Sequence, residues 1–153
     1  MRRVIQAMLV GAILLDATYW TLWFTQRDWI ASEHSHAYYE FENAFPLADL
    51  WLGVACVLAL VTLRARRPSA LLWLVCAGSA GLYLFGMDFL YDVENGIFAK
   101  GGGGAFEAVI VALTLAFSIT LLSWSWRHRG ELLSGDQRDQ RDQNPSSGAE
   151  TGR

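Results

Sequence analysis

Asp16 stands between Leu15 and Ala17, in the middle of a long apolar run. In hydrocarbon an ionised carboxylate needs a partner, or it takes up a proton. Tyr19, Trp20 and Trp23 follow at i+3, i+4 and i+7 and share its helix face. One acid beside three aromatic rings suits an organic cation or a proton relay.

Three more acids stand near the ends of the other apolar runs. Asp49 lies one turn into the second, Asp88 in the last turn of the third, and Glu107 at the start of the fourth. Asp88, Tyr91, Asp92 and Asn95 keep helical spacing if the third helix outruns the membrane surface. Glu107, Thr114 and Ser118 make a thin polar stripe on the fourth run. If these faces turn inward, the expected site is an acidic pocket made of Asp16, Tyr19, Asp49, Asp88, Tyr91, Asp92 and Glu107. His34 and His36 would be its lid. The helix dipole gives Asp49 and Glu107 a plain structural account, since acids favour first turns. The histidine pair among acids is a weak metal signal, because a closed site needs a third and fourth ligand.

No CxxC pair exists. Cys56 and Cys76 read as small buried hydrophobes. No cofactor and no nucleic-acid partner is expected.

The elements that must hold these residues are apolar and long. Of 153 residues, 53% are hydrophobic, concentrated in four blocks: 4–25, 47–63, 70–90 and 105–126. A hydrocarbon core of about 30 Å takes roughly 17–25 helical residues to cross. Helix is the spanning form, because the bilayer offers backbone amides no water. A soluble all-α protein would show polar helix faces, and the third and fourth blocks have almost none. The first block ends in Tyr19, Trp20, Trp23 and Phe24 rather than a small-residue cleavage site, so it reads as an anchor, not a signal peptide. The fold class is therefore all-α, a four-helix transmembrane bundle.

Arginines set its orientation. Arg2, Arg3, Arg64, Arg66, Arg67, Arg127 and Arg129 all fall on one side of a four-span chain, and only Arg27 and Lys100 fall on the other. Both termini are expected in the cytoplasm, N-in and C-in. Trp20, Trp23, Trp29 and Trp51 are placed near the outer ends, and Trp73, Trp124 and Trp126 near the inner ends, with none at mid-membrane.

The long outer connector between spans 1 and 2, residues 26–45, mixes aromatics with acids and predicts a short interfacial helix or lid. Pro46 suits the first turn of the second span. Gly101–Gly104 reads as a flexible hinge, because a phosphate loop would need a Gly-Lys-Ser/Thr ending. Residues 1–129 form the membrane domain. Residues 130–153, with a repeated DQR triplet, read as a disordered cytoplasmic tail. Small residues repeat every fourth position at Ala108, Ala112, Ala116 and Thr120, and again at Ala77 and Gly81. Such stripes serve the bundle itself or a homodimer.

Two stretches, FENAFPLADLWLG (Phe41–Gly53) and GMDFLYDVENGIF (Gly86–Phe98), together resemble an uncharacterised family of small four-span bacterial membrane proteins. Their most distinctive residues are Phe45, Pro46, Asp49, Asp88, Tyr91, Asp92, Asn95 and Gly96. The resemblance covers about the last three spans. It implies a bacterial plasma membrane and brings no activity. In plan alone the chain is similar to small multidrug-resistance transporters, which carry an essential acid in the first of four spans. This chain departs from them with Asp for Glu, a long first connector and extra acids. Vitamin K epoxide reductase-like enzymes share the long outer loop, but their redox cysteine pair is missing here.

Three functional classes follow. The first is a multi-pass plasma-membrane protein, non-enzymatic by default, with an acidic and aromatic outer pocket and the lipid bilayer as its partner. The second is a small proton- or cation-coupled transporter acting as a homodimer through Asp16. The third is a metal-dependent membrane enzyme using the outer acids.

Overall fold

The computed structural model describes residues 1–31 and 34–134. They form α1 (Arg2–Thr25), α2 (Arg27–Ile30), α3 (His36–Glu42), α4 (Pro46–Arg64), α5 (Ser69–Asn95), a 3-10 turn (Ile97–Ala99), α6 (Gly101–Arg127) and α7 (Arg129–Leu133). No strand occurs among the described residues. Four runs are long and apolar enough to cross a membrane: Arg2–Thr25, His36–Arg64, Ser69–Asn95 and Gly101–Arg127. The chain is an all-α, multi-pass membrane bundle whose helices satisfy their own backbone groups, as hydrocarbon requires.

Local chemistry sets the helix boundaries. Ser35 caps α3 by accepting from the Tyr38 amide at 3.2 Å. Pro46 opens α4, where its missing N–H costs nothing. The α4–α5 turn closes with Arg67 N–H donating to Thr62 O at 2.9 Å and Arg66 N–H to Leu63 O at 3.3 Å. Arg66 takes the left-handed position there, at φ 55°. This short turn makes α4 and α5 antiparallel neighbours. Gly96, at φ 64°, ends α5.

Each spanning helix packs on the next: α1 on α4, α4 on α5, α5 on α6. The first and last, α1 and α6, do not pack together along their lengths. The apolar core lies toward the end where the arginines gather. It includes Leu9, Ala59, Leu63, Leu74 and Leu121, each fully buried. There the Arg2 guanidinium also donates to the carbonyl of Leu63 at the end of α4.

The seams repeat every seven residues. On α6 the buried positions include Gly104, Val111, Ser118 and Ser125. On α5 they include Ala70, Leu74, Ala77, Gly81 and Leu84, spaced alternately four and three. A Cβ at Gly81 would stand 2.5 Å from Ser118 Oγ, so only glycine admits α6 this closely. The two small stripes therefore part company. Ala77 and Gly81 lie in the seam, whereas Ala108, Ala112, Ala116 and Thr120 are exposed on α6, off that seam. The face carrying Ser118 takes the α5 contact instead.

Three further expectations change. Gly101–Gly104 is no hinge but the first turn of α6. A Cβ at Gly104 would overlap the Ile97 carbonyl, so glycine serves close backbone approach there. Gly130–Leu133 is helical rather than part of a tail, because Leu132 buries against the core. The tail expected beyond, 135–153, lies outside the described residues. Finally, the Trp51 and Trp73 rings lie 6.4 Å apart. They cannot sit at opposite surfaces of a core about 30 Å thick, so one of them reaches inward.

Candidate functional site

A cleft of about 480 Å³ opens between α1 and α6 and is floored by α4 and α5. That volume is within the range of ligand sites, roughly 300–1,000 Å³.

Asp16 enters it from α1, on the same seven-residue face as the buried Leu9 and Trp23. Its carboxylate rests on the α4 backbone: a Cβ at Gly53 would stand 2.8 Å from Asp16 Oδ2. One turn on, the Trp20 indole N–H donates to Asp49 Oδ2 at 3.0 Å. Asp16 and Asp49 lie within electrostatic reach of each other. Trp20 thus holds the deeper acids together from one side.

Toward the α3 end stands a second group. Tyr19 Oη donates to Glu42 Oε2 at 2.8 Å. Asp88 from α5 and Glu107 from α6 face the same space, within reach of Glu42 and of Asp92. Asp92 is only 3% exposed, and its Oδ2 has no hydrogen-bond partner among the described residues. A buried carboxylate oxygen left this way is costly.

Five carboxylates line the cleft: Asp16, Glu42, Asp49, Asp88 and Glu107. Among the described residues no lysine, arginine or histidine lines it. The rest of the wall is chiefly apolar, with Leu52, Leu84, Phe45, Phe106 and Phe117.

Helix α3 covers the end of the cleft. Besides the Tyr19–Glu42 bond, the Trp23 indole donates to Asn43 Oδ1 at 3.1 Å. Phe41 stacks on Tyr91 of α5 at 3.7 Å between centroids and 11° between planes. The Arg27 guanidinium lies over both Trp23 and Tyr39, at 4.9 and 5.3 Å. Tyr38 is buried to 1% exposure.

Among the expected residues, Asp16, Tyr19, Asp49, Asp88 and Glu107 line the cleft together. Asp92 sits behind them, buried, and Tyr91 serves α3 by stacking. His34 and His36 do not line the cleft, although His36 is the first residue of α3. His34 Nδ1 bonds Tyr39 Oη at 2.8 Å, and the exposed His36 pairs with Glu40 at 3.5 Å. The cover is α3 itself. Among the described residues no three His, Cys, Asp or Glu side chains converge closely enough to hold a metal ion.

Glu42 is the site residue that the sequence alone does not single out, because it reads as one of the connector acids. A signal is nonetheless present. Glu42, Asp49, Cys56 and Leu63 repeat every seven residues through α3 and α4. Cys56 and Leu63 are buried on that face.

Comparison with family models, with curated proteins and with solved structures finds no match for this chain. The chemistry of the cleft therefore follows from its own geometry.

Proposed function

We propose that this protein binds an organic cation in the α1–α6 cleft and exchanges it against protons, as a small carrier in the membrane would. One observation carries the reading: five carboxylates share the cleft with no basic side chain among its lining residues. Carboxylates gathered in a low-dielectric wall favour the uptake of protons or of a cation. The acids are spread along the wall rather than gathered around one point, which favours a diffuse organic cation over a compact metal ion. Tyr19, Phe106 and Phe117 add ring faces that such a cation prefers, with Trp20 beside them. All of this belongs to a single chain, so a homodimer is not needed to complete the site.

The setting is the bacterial plasma membrane, with the α3 end outside and the arginine end in the cytoplasm, following the distribution of Lys and Arg.

The test uses purified protein in proteoliposomes. An organic cation such as tetraphenylphosphonium should drive counter-movement of protons. Asp16→Asn should abolish that flux and weaken cation binding at least tenfold, about 1.4 kcal/mol, while helical content is kept. Binding should also weaken as pH falls, because protons compete for Asp16, Glu42, Asp49, Asp88, Asp92 and Glu107. Wild-type flux in the Asp16→Asn protein would defeat the reading.

A further inference from the structure

The acids occupy only one half of the cleft. Along α1 the lining runs from Met8 through Gly11 and Ala12 to Asp16, and only then reaches Tyr19. Antiparallel α6 matches it, with Thr120, Phe117 and Ala116 opposite the apolar part and Glu107 at the acidic end. From Met8 to Asp16 the helix rise gives an acid-free groove of roughly 12 Å.

The two ends differ in access as well. At the acidic end α3 forms a roof, with Tyr38 1%, Phe45 8% and Glu42 9% exposed. Along the side the cleft stays open because α1 and α6 do not pack on one another. Its lips, Leu15 and Leu113, are 49% and 55% exposed. Gly11 has no atom within 4 Å of where a Cβ would stand. In a bilayer this side faces lipid chains.

From the α3 roof, the open side and the graded wall, we infer that the occupant is a single-chain cationic amphiphile that enters sideways from the bilayer. Its ammonium head lies among Asp16, Asp49 and the outer carboxylates. Its hydrocarbon tail lies along Gly11, Ala12, Ala116 and Phe117. The inference rests on the cation reading of the cleft and adds the tail and the route. Charge complementarity fixes the head, and the length of the acid-free groove suits a tail of about eight to ten carbons, since roughly 12 Å is available.

The experiment uses the full chain in nanodiscs of zwitterionic lipid, with empty nanodiscs subtracting partition into lipid. Decyltrimethylammonium and tetramethylammonium are titrated side by side. The decyl compound should bind saturably and at least tenfold tighter than its head alone. Ala116→Phe and Gly11→Leu, which fill the groove from opposite walls, should bring that ratio close to one. Ala112→Phe, exposed on α6 away from the cleft, should leave the ratio as in wild type. Asp16→Asn should weaken both compounds. Equal affinity for the two compounds in wild type would overturn the tail and the lateral route, and leave the cation reading standing. Decyl binding no greater than in empty nanodiscs, with no tetramethylammonium binding either, would overturn both.

Discussion

Asp16 illustrates how one residue ties sequence to site. Its depth in an apolar run makes it conspicuous in the sequence by itself, because hydrocarbon leaves few reasons for a carboxylate. Its neighbour cannot be read the same way. Gly53 looks like one more small residue of a spanning helix, yet the Asp16 carboxylate occupies the space its side chain would take. Gly53→Ala should therefore displace that carboxylate and weaken cation binding, while the shift of a flexible side-chain end is offset in stability by alanine's better helix propensity. In an Asp16→Ala background the same change should be plainly stabilising. A double-mutant cycle of thermal unfolding in detergent measures the difference, and additive effects would show that the two residues do not touch. Glu42 is hidden in the sequence for a related reason. Composition places it in a polar connector, whereas its burial comes with the Tyr19 hydroxyl reaching it from another helix. Pairings between distant positions leave no mark in a local window.

At the scale of elements, the four apolar blocks each fall inside a long helix, α1, α4, α5 or α6, since length and apolarity alone mark them. Helix α5 outruns its apolar block, because Asp88, Asp92, Glu94 and Asn95 are polar yet continue the helix to Gly96. The choice of packing face is less legible. A period of four stands out at Ala108, Ala112, Ala116 and Thr120, while a period of seven at Gly104, Val111, Ser118 and Ser125 forms the seam. The glycine run at the start of α6 follows the same lesson. Gly104→Ala should destabilise by about 1–3 kcal/mol, because its methyl group meets the Ile97 carbonyl. Gly102→Ala has open space around it and should stabilise the helix by about 0.5–1 kcal/mol. Melting temperatures of the two variants should move in opposite directions. If both rise, the first turn is not held against Ile97.

The whole molecule behaves as a row of helices bent into an open bundle. The core that stabilises it is concentrated near the arginine end, and the cleft occupies the space that α1 and α6 leave between them. A stable end and an open side are thus separated along one axis. The orientation proposed from charge can be tested directly. With Cys56 and Cys76 changed to alanine, a membrane-impermeant maleimide should label intact cells through Trp29→Cys, at a position 78% exposed. The same reagent should miss Arg66→Cys until the membrane is broken. The reverse pattern would invert the topology.

The Trp20–Asp49 hydrogen bond also furnishes an optical readout. Indole emission responds to the charge and polarity around it, and this indole touches a carboxylate that a bound cation would neutralise. Filling the cleft should shift the tryptophan fluorescence of the unlabelled protein, and Trp20→Phe should silence most of that shift. The molecule thus carries its own gauge of occupancy, usable in a lipid bilayer without attaching a dye.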